Sequence, residues 1–304
     1  MPDPAVSVII PAYNSARFLP GCLASVLSQD YPVHEIIVSD DGSTDNIEDA
    51  LAPFLADPRV RLLSAPNAGP SAARNRGIRA ATGDAVAFLD ADDLWLPGKL
   101  SRQIPLLAPP RVGLVYGLRT HMDPDGNPIP KEQPDCFRGN VLSRIFSYNF
   151  VCTSSAVVKK QCFETTGFFD ESLTTAEDFD LWIRIAAFFD FDFVPEPVAC
   201  YRTGHPQLSQ DKDLRLINTL LVRQRALKHP AIAGRIPPSV VRRARSDTMR
   251  REGLRYAGHG RRDRALFFYL RALAADPLSL RPWRAIAKLI LKNSGKKNWK
   301  LSQE

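Results

Sequence analysis

Ala85-Val86-Ala87-Phe88-Leu89-Asp90-Ala91-Asp92-Asp93 is the stretch on which the fold turns: five apolar residues run into a segment carrying three carboxylates. A short continuous apolar run closed by acidic residues reads as a strand buried on both faces. Carboxylates crowded at the end of such a strand repel one another unless a cation sits among them. Hard divalent ions such as Mg2+ or Mn2+ take oxygen ligands of this kind, usually one or two carboxylates together with phosphates and water. The other reading of the same residues is an acidic turn that caps the following helix.

Outward from this strand, residues 6–11, 35–39 and 60–64 are further β-branched or apolar runs, each ending at a turn-prone or acidic residue. Helical periodicity fills the gaps at 16–29, 47–55 and 71–81. Strands alternating with helices predict right-handed βαβ units and a parallel sheet. Ligands bind such sheets beyond the carboxyl ends of the strands, so four groups of residues should meet in one crevice. They are Pro11, Ala12, Tyr13 and Asn14; Asp40 to Asp45; Pro66 and Asn67; and Asp90 to Asp93. Asp40 is assigned to the ligand, as a carboxylate able to accept from a base N–H. Asp45 is read as a helix cap, beside Ser43 and Thr44.

Residues 119–139 are rich in Pro, Gly and Asp and read as a turn or hairpin loop beside the main sheet. Residues 150–160 read as another strand and 177–188 as a helix, and beyond Tyr201 strand signals end. From about residue 211 the chain is helical. Gly260 to Pro277 resembles one tetratricopeptide-type repeat, but a single unit is weak evidence because a solenoid needs stacked neighbours, and plain helical packing is the alternative. The segment 282–292 mixes Trp283, Ile286, Leu289 and Ile290 with Arg284, Lys288 and Lys292, which suits an anionic membrane surface or a protein surface equally.

The 304 residues, 44% hydrophobic and 24% charged, suffice for a sizeable core and about two domains. The net charge of +7 hides a division: 23 Lys and Arg face 6 Asp and Glu in residues 212–304, whereas 17 face 27 before them. A basic region behind an acidic body points to an anionic partner or to a solvated helical face. No nucleic-acid motif accompanies it, so nucleic acid is not an expected partner. The five cysteines lack zinc-site spacing and read as reduced, mostly buried thiols. No apolar stretch approaches the ~18 residues of a membrane span, and the first residues lack a charged segment followed by an apolar one. A cytoplasmic protein is expected, with a peripheral place at the inner face of the membrane as an option for the basic part.

Taken together, residues 6–14, the Asp40 cluster, Asn67-Ala68-Gly69-Pro70-Ser71-Ala72-Ala73-Arg74-Asn75 and Phe88-Leu89-Asp90-Ala91-Asp92-Asp93 resemble the family 2 glycosyltransferases in order and spacing. The likeness continues through Thr153-Ser154-Ser155, Gly167 to Glu171 and Glu177-Asp178-Phe179-Asp180-Leu181-Trp182 to Tyr201-Arg202, about the first 205 residues. It implies a GT-A fold, which is Rossmann-like with a mostly parallel sheet flanked by helices, here carrying an α-helical C-terminal extension: a catalytic domain at 1–210 and a basic helical region at 211–304.

The resemblance also implies inverting transfer from a nucleoside-diphosphate sugar, usually a UDP-sugar, to a hydroxyl of a glycan or lipid-linked acceptor, as in bacterial surface polysaccharide or cell-wall glycan synthesis. By position, Pro11, Ala12 and Tyr13 would line the uridine pocket, with Asp40 at the uracil edge and Asn67 and Arg74 nearby. Arg76 would be a surface or phosphate-facing charge. Asp90 would approach the ribose and the metal, Asp92 would ligate Mn2+ or Mg2+, and Asp93 would support the turn. Asp178 would be the catalytic base, which inversion requires to stand apart from the metal-binding carboxylates. Glu177 and Trp182 would meet the acceptor or the sugar, Trp182 having a core role as its alternative. His205 would reach the diphosphate or metal, or be a loop histidine.

The Gln-x-x-Arg-Trp signature of processive synthases is absent, so transfer of a single sugar is expected. Two rivals remain. A nucleotidyltransferase would carry a Gly-rich basic loop after its first strand, where this chain has Pro11-Ala12-Tyr13-Asn14; a retired binding homologue would be expected to lose Asp92 or Asp178, and both are present.

Overall fold

The computed structural model describes residues 3–204 and 211–297. They divide into two compact units, Met1–Ile145 with Asn149–Ala231, and Phe146–Tyr148 with Ile232–Glu304.

The first unit opens with β1 (Val6–Ala12), α1 (Leu19–Leu27), β2 (Glu35–Asp40), α2 (Ile47–Leu51), β3 (Val60–Ser64), α3 (Pro70–Ala80) and β4 (Ala85–Phe88). Then come β5 (Leu94–Trp95), α4 (Lys99–Gln103), β6 (Val112–Met122), β7 (Pro128–Ile129), α5 (Leu142–Ser147), β8 (Val157–Lys159), α6 (Lys160–Thr166), α7 (Glu177–Ala186), β9 (Asp190–Arg202) and α8 (Lys212–Lys228). One sheet of nine strands takes the order β3-β2-β1-β4-β8-β6-β9-β5, with β7 on β6. The β3-β2-β1-β4 half is parallel, as the alternation of strands and helices predicts. The other half is mixed: β8 is antiparallel to both β4 and β6, β9 is parallel to β6, and β5 is antiparallel to β9.

Both faces of the parallel half are covered, and the two-residue period of the strands divides its side chains between two cores. Val6, Val8 and Ile10 of β1 join Ala85, Ala87 and Leu89 beneath α1 and α4. On the opposite face Phe88 packs edge-on to Phe169 and lies beside Trp182. Helix α3 approaches β1 so closely that a Cβ at Gly77 would stand 2.5 Å from Ile9 Cγ2, which is why this helix tolerates a glycine.

Two features depart from the expectation. The strand anticipated over 150–160 is a 3-10 turn, Thr153–Ser155, followed by the short β8. The long strands β6 and β9 carried no sequence signal strong enough to announce them. Pro195 and Pro197 argue against a strand, but the register passes from Gly117↔Val194 to Leu118↔Pro197, so Pro195 and Glu196 bulge out of the ladder.

The second unit holds α9 (Pro238–Gly258), α10 (Arg262–Ala275) and α11 (Leu280–Lys297). Ala265, Tyr269 and Ala285 form its small core, with Tyr256, Ile286 and Leu289 packed on it. With the boundary expected at 210/211, helix α8 would belong to this region. It packs instead on the first unit: Asn218 Nδ2 donates to Thr175 Oγ1 at 3.0 Å, and Arg225 pairs with Asp170 at 2.7 Å. No helix among the described residues is long and apolar enough to cross a membrane, and the five cysteines are free thiols.

Candidate active site

The carboxyl ends of β1 and β2 lie in register, Ala12 beside Asp40. Past them the loops are tied together by short polar side chains. Asn14, at a left-handed φ of 48°, donates its N–H to Ser43 Oγ at 2.9 Å and accepts from the Thr44 N–H at 2.7 Å. Asp45 accepts from the Ala16 N–H at 2.8 Å. The helix-cap role expected for Asp45 is therefore corrected: α2 has no side-chain cap, and this carboxylate serves the loop leading into α1. Ala12 is buried, whereas Tyr13 is 52% exposed and its ring is open for stacking.

Asp40 is buried and closes a turn by accepting from the Ser43 N–H at 3.0 Å. Its neighbour Asp41 anchors the next loop by accepting from the Ala68 and Gly69 N–H groups, the latter at 2.7 Å, a role that no local sequence pattern announces. Asn67 stands exposed beside that anchor. Gly42 has φ +75°, and a Cβ there would meet the Asn67 backbone nitrogen at 2.9 Å, so this turn needs glycine. Arg76 is no free phosphate ligand. It donates to Ser39 Oγ and to the Asp40 carbonyl, both at 3.0 Å, and binds α3 to the end of β2.

Beyond β4 the acidic cluster splits into unlike parts. Asp93 is fully buried: its carboxylate accepts from the Ser154 hydroxyl at 2.5 Å and from the Arg202 N–H at 2.8 Å. Burial first, then the neighbouring Asp92 and Asp90, pushes the Asp93 carboxyl well above its ordinary range. Asp93 is thus the turn support. Ser154 also accepts from the Asp90 N–H at 3.2 Å, and Arg202 Nε donates to the Asp92 carbonyl at 2.8 Å, so the two half-buried carboxylates, Asp90 and Asp92, sit on a braced loop.

Arg74 of α3 joins this cluster to the amino-terminal end of α7. It is buried, and one terminal nitrogen donates to Asp90 Oδ1 at 2.8 Å while the other donates to Glu177 Oε1 at 2.9 Å. Burial opposes the charge on Arg74, but Asp90 and Glu177 outweigh it and hold the guanidinium charged. Expected beside the nucleotide, Arg74 has both terminal nitrogens engaged by protein carboxylates. Glu177 in turn has its carboxyl raised by burial and by the Asp178 charge, with Arg74 acting the other way.

Asp178 sits one residue further on, in the first turn of α7. Ala176 precedes the pair at a left-handed φ of 62°, an unusual conformation for a residue with a side chain and one that sets the direction of the turn. One Asp178 oxygen accepts from its own helix at Phe179 N, 2.7 Å away. The other accepts from Asn149 Nδ2 at 2.8 Å and more weakly from Thr153 Oγ1 at 3.4 Å. Asn149 was not singled out in the sequence, because a lone Asn in an aromatic loop carries no pattern.

Trp182 is corrected as an acceptor platform. It is fully buried, between Phe88 and Phe169, and belongs to the core. On α7 it lies four residues after Asp178, on the side that faces the sheet. His205 lies outside the described residues.

A divalent ion can be tested against the donors present. Asp93 has both oxygens committed to Ser154 and Arg202, which leaves Asp90 and Asp92 as the carboxylates of the loop. Among the described residues no group of three or more His, Cys, Asp or Glu stands ready to hold a metal. Two hard oxygen donors fit an ion of the Mg2+ or Mn2+ type whose other ligands are substrate phosphates and water.

The sequence matches the description "Glycosyl transferase family 2" over residues 7–167, more than half of the chain. It is 34% identical over 185 residues, 61% of this chain and 31% of the relative, to an uncharacterized glycosyltransferase of Rickettsia felis. It is 38% identical over 118 residues, 38% of this chain and 46% of the relative, to the UDP-Glc:alpha-D-GlcNAc-diphosphoundecaprenol beta-1,3-glucosyltransferase WfgD of Escherichia coli. The chain thus spans only about a third to a half of the length of these curated relatives. Among solved structures, S. aureus TarS 1-349 in complex with UDP-GlcNAc superposes with a TM-score of 0.67 at 19% identity, covering 94% of this chain and 88% of that one. The mannosyltransferase PcManGT from Pyrobaculum calidifontis, in complex with GDP-Man and Mn2+, gives a TM-score of 0.64 at 24% identity over 99% and 84%. These likenesses carry the fold, GT-A, and the family match carries the membership: the chain belongs to glycosyl transferase family 2.

Proposed function

We propose that this protein is an inverting, metal-dependent glycosyltransferase that moves a single sugar from a nucleoside-diphosphate sugar, of the UDP type, to a hydroxyl acceptor. The observation that carries this reading is the Arg74 bridge, which brings a carboxylate of the acidic loop and the first turn of α7 within the span of one guanidinium. In this reading Ala12, Tyr13 and Asp40 receive the nucleoside. Asp90 and Asp92 would hold the cation, which would supply charge stabilisation to the departing diphosphate. Asp178, oriented by Asn149 and Thr153, takes the proton from the acceptor hydroxyl. Glu177 contributes to the acceptor side while holding Arg74. The WfgD and TarS names, with their diphosphoundecaprenol acceptor and UDP-GlcNAc ligand, support an acceptor in bacterial envelope glycan synthesis and a UDP donor.

The test is calorimetry with UDP and Mn2+ alongside turnover with a panel of nucleotide sugars. Asp178→Asn keeps UDP affinity and loses about 100-fold or more in turnover, the scale of general-base catalysis. Asp92→Ala loses metal-dependent UDP affinity as well. Unchanged turnover in either variant removes that residue from its role.

A further inference from the structure

Apart from the nucleotide-facing loops, the end of β6 carries two basic side chains on one face. Arg119 and His121 are two residues apart on the strand, so they point the same way, and His121 lies opposite Tyr201 of β9. The Arg119 guanidinium lies 5.3 Å from the centre of the Tyr201 ring, and the His121 ring meets the same tyrosine edge-on at 5.6 Å. His121 is only 6% exposed, yet its Nδ1 has no hydrogen-bond partner, and Arg119 Nε is likewise buried and unpartnered.

The Arg119 side chain hydrogen-bonds to the Cys152 thiol, and no carboxylate stands within ion-pair distance of it among the described residues. Lys131, on the exposed loop after β7, adds a second positive charge to that of Arg119. Burial first, then the nearby charges of Lys131 and Arg119, lowers the His121 imidazole to about 4. Buried nitrogens left without an acceptor cost folding free energy, so an arrangement of this kind makes sense when a ligand supplies the missing oxygens. Oxyanions fit: they offer several acceptor oxygens to the Arg fork, to the imidazole and to a flexible ammonium. The site adjoins the reaction centre, because Cys152 precedes Thr153, whose hydroxyl donates to Asp178.

We propose that Arg119, His121 and Lys131 form a binding site for a phosphate or diphosphate group beside Asp178, carried either by the acceptor or by the donor. Its place beside the catalytic base rests on the reading of Asp178 given above; the anion site itself rests on the orphaned nitrogens.

The full-length chain is titrated with inorganic phosphate and with pyrophosphate in the absence of metal, and again with phosphate in the presence of saturating UDP and Mg2+. Binding is followed by thermal midpoint and by the His121 ring resonance. Arg119→Gln and Lys131→Ala are expected to weaken phosphate and pyrophosphate about ten-fold or more, the scale of one charge-assisted hydrogen bond. Lys131→Ala, on an exposed loop, keeps the test alive should Arg119→Gln fail to fold. Phosphate binding that persists with UDP assigns the site to the acceptor. Phosphate displaced by UDP, with UDP itself weakened in Arg119→Gln, assigns it to the donor diphosphate. Affinity for both anions unchanged in the two variants, or no binding to the parent protein, overturns the proposal. Undiminished turnover in Asp178→Asn would remove the base while leaving these titrations as they stand.

Discussion

Arg74 is the side chain on which the most charge depends. Its two terminal nitrogens serve Asp90 and Glu177, and its ring-facing side lies 5.5 Å from the centre of Phe169. Removing one partner of a buried ion pair costs about 3–5 kcal/mol, and the partial exposure of Asp90 reduces that here, so Arg74→Met should lose about 2–4 kcal/mol in urea denaturation. A loss below about 0.5 kcal/mol would show the bridge to be incidental to stability. His121 gives a pH signature whose sign follows from its depressed value. Between about 6.5 and 4 the unfolded chain takes up a proton that the native ring refuses, so the stability present above 6.5 falls as the pH drops toward 4. Thermal midpoints across that window should fall less steeply in His121→Asn than in the parent. The acidic residues at strand ends were legible because their type and place are both unusual. The partners that decide what each one does, Ser154 for Asp93 and Asn149 for Asp178, come from remote loops and have no local pattern.

At the scale of elements, β1, β2 and β4 were legible because a strand buried on both faces is largely apolar, and β1, β2 and β3 are each followed by a helix; the edge strand β3 kept enough apolar residues to be read despite its exposed Arg61 and Ser64. β6 and β9 escaped because one carries charged and polar residues near its end and the other carries two prolines, of which the ladder bulges out Pro195 and keeps Pro197 opposite Leu118. The α9–α10 pair offers a test of packing between helices. A Cβ at Gly253 would collide with the Tyr269 ring and stand 3.1 Å from the Ala265 carbonyl oxygen. Gly253→Val should therefore destabilise this hairpin by about 1–3 kcal/mol, the usual scale of overpacking. Hydrogen exchange in α9 and α10 should accelerate while UDP affinity, proposed for the other unit, stays unchanged; equal protection in parent and variant would count against the packing described.

For the molecule as a whole, the charge division read from the sequence coincides with helices that leave apolar side chains in solvent. On α11, Trp283 is 55% exposed, Ile290 and Leu291 are exposed near the same face, and Arg284 and Lys288 flank them. We propose that this face docks the basic unit on an anionic membrane, a protein surface being the alternative reading. Sedimentation with vesicles containing anionic lipid should carry the protein down at about 0.1 M salt and release it near 0.5 M, as screening shortens the reach of surface charge. Trp283→Ala should weaken it further. Binding indifferent to salt, or none, would refute the electrostatic part. In the first unit the Arg74 bridge reaches beyond any single contact. Because Asp90 and Glu177 share one guanidinium, their occupancies are thermodynamically linked: a charge settling on Asp90 changes how firmly Glu177 keeps its proton. By reciprocity, the acidity of the medium tunes what Asp90 can hold.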